Sequence, residues 1–258
     1  MTAVIFAGPS FPPSKRPAIA GLEWRPPLCR GDLYLTALDR PSVIGVVDGY
    51  FETVPTVWHK EILWAMARGI YVYGAASIGA LRAAELADFG MIGVGHVYRE
   101  FRSGGLSDDD EVAVLHGPAE LDYVTVTEAM VNVRSTIECA LQSGIVEPTE
   151  AAVLLSAAKS LFYKDRTYDL ILKLAAERGL APEKLQRFAD WLSRGKIDQK
   201  RIDAEEMLSA IVGHVKTDVT PFQASYQFAH TFAWEEARQT IERTSFLARG
   251  GLISVRPS

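Results

Sequence analysis

The sequence predicts an α/β fold: a largely parallel sheet with flanking helices at the amino end, and an all-helical carboxy-terminal half packed on it. Three observations carry this expectation. Val43 to Val47 (VIGVV) is a continuous apolar run, as expected of a strand covered on both faces. A helix-forming stretch follows, PTVWHKEILWAMARG, opened by Pro55 and closed by Gly69, and then a β-branched and aromatic run, Ile70 to Tyr73. Strand, helix and strand in that order make parallel and neighbouring strands. Beyond residue 124 the pattern is helical almost throughout.

Taken in order, AVIFAGPS near the amino terminus reads as a first strand. It lacks the basic lead of a signal peptide. Pro-rich loops at Phe11 to Pro17 and Arg25 to Pro27 border the sheet. EVAVLHGPA reads as the last β-rich run, so residues 1–124 form an α/β domain carrying the site and 125–258 a helical region. TVTEAMVNVRSTIECALQSG opens with a capping box, Thr125 and Glu128, and stops at Gly144. PTEAAVLLSAAKSLFYKDRTYDLILKLAAERG divides into two helices between Lys164 and Thr167. APEKLQRFADWLSRG, DQKRIDAEEMLSAIVGHV and PFQASYQFAHTFAWEEARQTIER complete the set.

The composition narrows the function classes. Of 258 residues, 48% are apolar and 23% charged, the balance of an ordinary globular protein. A net charge of −5 without a Lys/Arg block argues against broad nucleic-acid contacts. Cys29 and Cys139 fit neither a disulfide framework nor a zinc spacing. No uncharged apolar run reaches the roughly 18 residues of a membrane span. The expectation is a cytoplasmic protein without nucleic-acid or membrane partners.

The most informative stretch is Ile70 to Leu86, IYVYGAASIGALRAAEL. A strand passes through Gly74-Ala75-Ala76 to Ser77, and Gly79 lets the chain turn closely into a helix. This is the layout of a nucleophile elbow, G-x-S-x-G, with Ala75 in place of its first glycine. The plainer reading makes Ser77 a helix cap. The carboxyl ends of parallel strands are the functional edge of such a sheet, so Asp48, Ser77 and the helix start carrying His59 and Lys60 should gather there. A helix N-terminus disfavours a cation, and Val57, Leu63 and Trp64 could shield Lys60, a recipe for a neutral lysine beside a serine. The plainer reading is a solvated lysine.

Other constellations are weaker. Ser107 to Glu111 with His116 could offer carboxylates and an imidazole to a hard metal, but an acidic run of this spacing reads better as a solvated loop. Ser156-x-x-Lys159 lacks its S-D-N and K-T-G companions. Gly93-Val94-Gly95 lacks the third glycine of a dinucleotide fingerprint. No cofactor or metal is expected.

The run IGVVDGYFETVPTVWHKEILWAMARGIYVYGAASIGALRAAELADFGMIGVG, followed by LSDDDEVAVLHGPAE, resembles the TfuA family. AVIFAGPS, RGDLY, EAMVNVR and AKSLFYKDR agree with it, so the first two thirds of the chain are covered densely. The resemblance implies a companion of YcaO enzymes, which replace a peptide amide oxygen with sulfur. It implies hydrolysis of a thiocarboxylated ThiS-like sulfur carrier through a serine–lysine pair, with a precursor peptide as a further partner. Ser77 matches the serine. The lysine is carried to Lys60, although Lys159 and Lys200 also lie in family-like segments.

The expected chemistry follows from that resemblance. Lys60 takes the Ser77 proton, Ser77 attacks the carbonyl, and the Ile78 and Gly79 N–H groups hold the oxyanion. Gly74, Ala75, Ala76 and Gly79 line a slot for a Gly-Gly tail, with Asp48, His59 and His116 in support. A competing reading is an adaptor without turnover, docking YcaO through Asp109, Asp110 and Glu111. A third is a metal-dependent hydrolase using the acidic cluster.

Overall fold

The computed structural model describes residues 2–50, 54–217 and 220–248. Strands β1 (Ala3–Phe6), β2 (Leu22–Arg25), β3 (Val43–Val46), β4 (Tyr71–Gly74) and β5 (Ile92–Gly93) form one sheet in the order β2-β1-β3-β4-β5. Every pairing is parallel. The two runs expected to be neighbours are so, with Val43 opposite Tyr71 and Val46 opposite Gly74. Because β1 lies between β2 and β3, the winding reverses there, and a crevice opens at the carboxyl ends of β1 and β3.

Strand residues alternate between two apolar layers, as the period of two requires. Val4, Phe6, Ile44 and Val72 pack with Leu33 and Tyr34 of α1 (Asp32–Leu38), Ile62 and Met66 of α2 (His59–Ala67), and Leu86 of α3 (Ile78–Leu86). On the other face Ile5, Val43 and Tyr73 meet Ala204, Met207 and Ile211, which belong to α9 (Gln199–Lys216). Gly45 makes that approach possible, since a Cβ there would stand 2.9 Å from Ile211 and 3.0 Å from Met207. Each large apolar side chain buried this way contributes roughly 1.5–3 kcal/mol. The helical region therefore supplies one layer of the sheet's own core.

After α4 (His96–Ser103), helices α5 (Met130–Gln142), α6 (Pro148–Ser160), α7 (Tyr168–Glu177) and α8 (Pro182–Gly195) bury a separate core around Ile137, Leu154, Ile171 and Phe188. Helix α10 (Phe232–Ala248) returns to the sheet, where fully buried Trp234 packs edge-on to Tyr34. Among the described residues no helix is long and apolar enough to cross a membrane.

Several boundaries depart from expectation. EVAVLHGPA is not a strand: Asp109–Glu111 forms a 3-10 turn, and only an isolated bridge joins His116 to Thr125. The helix expected from Thr125 begins at Met130. Thr125 is taken up in the bridge with His116 and Glu128 pairs with Lys196, so the expected capping box does not form. The helix expected from Pro55 begins at His59, where Glu61 accepts the Trp58 N–H at 3.1 Å. The last helix starts at Phe232, because residues 220–231 run over α2, with the Phe222 N–H on the Gly69 carbonyl and the Tyr226 hydroxyl on that of Leu63.

Candidate active site

Strand β4 passes into α3 through a very tight turn. The Ser77 N–H donates back to the Ala75 carbonyl at 2.7 Å, and Ala76 between them has φ 66°. This is a γ-turn of the rare positive-φ kind, a conformation that stores strain. Two glycines seat the turn on the sheet: a Cβ at Gly79 would lie 1.8 Å from the Val46 carbonyl oxygen, and one at Gly74 would lie 2.1 Å from that of Gly79. Ser77 occupies the N-cap position, yet its hydroxyl makes no capping bond. The buried hydroxyl instead reaches the Val112 carbonyl at 3.5 Å, the outer limit of a hydrogen bond.

The same carbonyl accepts from Lys200, whose Nζ donates to it at 2.8 Å. Ser77 Oγ and Lys200 Nζ are therefore no further apart than those two bonds allow. Lys200 is the second residue of α9 and its side chain is only 4% exposed. Burial pushes its pKa below the ordinary lysine value of 10.5, opposed by the charges of Asp48 and Asp198. The helix N-terminus beneath it works in the same direction as burial. Asn132 of α5 holds the Lys200 N–H at 3.0 Å and donates its own amide to Asp198.

Asp48, just beyond β3, ties the strand ends together. One of its oxygens accepts the Gly8 and Ser10 N–H groups, each at 2.9 Å, while the other takes the Ser10 hydroxyl at 2.7 Å and lies 3.8 Å from Lys200 Nζ. Asp48, Ser77, Ile78, His116 and Lys200 all line one cavity of about 430 Å³ at the crevice the strand order creates. His116 stands between the rings of Tyr50 and Tyr123. Along α3 the wall continues through Leu81, Arg82 and Glu85. His59 bears on the cavity only through Glu85, at 2.8 Å. Burial alone would raise the Glu85 carboxyl, but hydrogen bonds from His59 and Arg82 hold it below the usual range.

Four expectations need correction. Lys60 is not brought to Ser77: its Nζ donates to the Ala229 carbonyl at 2.6 Å and lies 5.1 Å from the Phe228 ring, because residues 220–231 cover that end of α2. Gly74, Ala76 and Gly79 do not line the cavity, since Ala76 is fully buried and the glycines are used in packing. The Gly79 N–H is already engaged by the Val47 carbonyl at 3.3 Å, so of the two expected oxyanion donors only Ile78 lines the cavity. Asp110 and Glu111 are no free docking face, although Asp109 remains exposed on the cavity. Glu111 is 2% exposed and receives two hydrogen bonds from Arg134, at 2.9 and 2.8 Å.

Asp108, Asp110 and Glu111 do converge, with oxygens within 4.8 Å of one another. The Lys159 ammonium sits on all three and fills the place a metal would take. Although burial works against it, hydrogen bonds to Asp110, Glu111 and Asp108 raise the Lys159 pKa, so this lysine is held as a cation. Ser156, three residues before it, accepts from Arg178 at 2.7 Å and belongs to no catalytic tetrad.

Residues 48–167 match the family model described as TfuA-like protein. That stretch includes Asp48, Ser77, Val112 and His116, while Lys200 lies beyond it. No curated protein matches the chain.

Proposed function

From the TfuA-like domain over residues 48–167, we propose a role in YcaO-associated peptide thioamidation, exercised as a serine–lysine hydrolase of a thiocarboxylated ThiS-like carrier. The observation that carries the chemistry is the convergence of Ser77 and Lys200 on the Val112 carbonyl. Lys200 in its neutral form takes the Ser77 proton as the hydroxyl oxygen attacks the thiocarboxylate carbon. The Ile78 N–H, at the start of α3, stabilises the oxyanion. The tetrahedral adduct collapses to a Ser77 ester, the C–S bond breaks, and the Lys200 ammonium returns its proton to sulfur, releasing HS⁻. Water then attacks the ester with Lys200 again as base. Ser77 is regenerated and the carrier leaves as its carboxylate.

Asp48 supports Lys200 from 3.8 Å, and His116 borders the same cavity. The test is sulfide release from a thiocarboxylated ThiS-like protein by folded wild type, Ser77→Ala and Lys200→Met. Loss of about 10²–10⁴-fold in both variants is expected. Wild-type release by Ser77→Ala overturns the nucleophile. Absence of release by wild type, with YcaO and its peptide present, replaces the hydrolase with the adaptor.

A further inference from the structure

The Val112 carbonyl that both Ser77 and Lys200 address belongs to neither the sheet nor a long helix. It follows the single 3-10 turn Asp109–Glu111, whose last N–H bond runs from Val112 to the Asp109 carbonyl at 3.3 Å. A turn of three residues has too little hydrogen bonding of its own to fix a carbonyl within a fraction of an ångström. The Val112 side chain is buried in an apolar cluster with Ala80, Val97 and Val131, and the turn before it is held by charge from the helical region. Arg134 of α5 grips both Glu111 oxygens, Lys159 of α6 contacts Glu111 at 2.9 Å and Asp108 at 3.0 Å, and fully buried Arg166 holds the Asp110 carboxylate at 2.7 Å. Glu111 adjoins Val112 in the chain and is the most buried of these carboxylates.

We propose that Glu111 is a positioning residue: anchored by Arg134 and Lys159, it sets the Val112 carbonyl that presents the Lys200 amine to the Ser77 hydroxyl. Helix α5 then acts on both halves of the pair, through Arg134 on the turn and through Asn132 on the Lys200 N–H. The inference deepens the hydrolase reading and rests on it for its consequence in catalysis, but the geometry it asserts is measurable without turnover. The charged groups facing Lys200 are Asp48, from the end of β3, and Asp198, from its own helix start. Glu111 reaches Lys200 only through the turn.

The experiment is an NMR titration of the Lys200 side chain in 13C,15N-lysine-labelled protein, assigned by its disappearance in Lys200→Met. The variant is Glu111→Gln, confirmed folded. The two ways Glu111 could act on Lys200 have opposite signs. Removing a nearby negative charge, with the turn unmoved, lowers the Lys200 pKa. Releasing the turn costs the Val112 carbonyl bond but admits water, and relief of desolvation, the largest influence on this group, raises that pKa. A rise supports the proposal, and a fall or no change overturns it. Should Glu111→Gln fail to fold, Glu111→Asp takes its place, since it keeps the charge and withdraws the carboxylate from Arg134: a rise in the Lys200 pKa supports the proposal, and a fall or no change overturns it. Where wild type turns over, kcat should fall about ten- to a hundredfold with KM unchanged. Absence of turnover in wild type sinks the hydrolase reading and leaves the titration to decide the positioning role.

Discussion

Ser77 and Lys200, 123 positions apart in the chain, direct their protons to one acceptor, the carbonyl of Val112. Two donors on one oxygen need not pair permanently. Once Lys200 is neutral, it keeps one N–H on the carbonyl and has a lone pair free for the serine proton. In the proposed reaction the carbonyl thus orients the base without consuming it. Burial supplies the other requirement, since a lysine 3% exposed gains little from ionising.

The rate of sulfide release should depend on the neutral fraction of Lys200. Its acid limb is expected below 10.5, in the direction that burial moves this group. Asp48 opposes that shift, so Asp48→Asn should move the limb to lower pH still while lowering kcat by disturbing Gly8 and Ser10. Single-turnover release as a function of pH checks both. A limb that stays in place or moves up in Asp48→Asn contradicts the assignment of Lys200 as base.

Glu61 should make stability fall with rising pH. It is fully buried beneath the starts of α1 and α2, and burial pushes its carboxyl up to about 7 from 4.5 despite N–H bonds from Trp58, Gly31 and Tyr34. The folded state therefore holds the proton more tightly than the unfolded chain. That advantage is fully present below about 4.5 and is lost as pH rises through about 7, on the order of 3 kcal/mol in all. Glu61→Gln cannot titrate, so its Tm relative to wild type should climb between pH 5 and pH 8. A constant difference across that range would show that Glu61 is not the titrating group.

Gly79→Ala should destabilise the protein by several kcal/mol, because the new Cβ would stand 1.8 Å from the Val46 carbonyl oxygen, a backbone atom that no rotamer change can move. Denaturant unfolding measures the loss. Gly144→Ala is the contrast: at φ 68° it meets nothing within 4 Å, so only its backbone strain, about 1 kcal/mol, should appear.

How much of this was legible in the sequence varied with the kind of signal. The strand, helix and strand around Val43 to Tyr73 and helices α6 to α9 follow from local apolar pattern, whereas contacts with α2 override the start of the last helix. Strand β2 and helices α1 and α4 were not read: LEWR is half exposed at a sheet edge and DLYLTAL is only seven residues long. Ser77 was found because a strand-to-helix turn flanked by glycines leaves a mark. Lys60 is suggested by the strand–helix–strand topology and the family resemblance, whereas the informative mark is periodic. Lys200 shares the buried stripe of Ala204, Met207 and Ile211, at intervals of four, three and four residues, so the sequence places it facing the sheet. The acidic run misled because its partners, Arg134, Lys159 and Arg166, lie 23 to 56 positions away. A local reading sees solvated charge where the fold makes an internal clamp.

Arg166 offers the sharpest test of that clamp. Its guanidinium is fully buried and donates to the Asp110 carboxylate at 2.7 Å, the Asp110 carbonyl at 3.2 Å, and the carbonyls of Ala158 and Leu161, both at 3.1 Å. Four acceptors around one cation join the end of α6 to the turn that precedes Val112. Arg166→Met removes every donor at once and should cost about 3–5 kcal/mol, the usual penalty for breaking a buried charged pair. Arg166→Lys keeps the charge but cannot span acceptors arranged for a planar fork, so it should recover only part of that loss. Urea unfolding of the two variants, at an m-value equal to that of wild type, separates charge from geometry. Full recovery by lysine would mean that charge alone holds the turn. No loss in either variant would mean that the clamp is not what joins the helical region to the site.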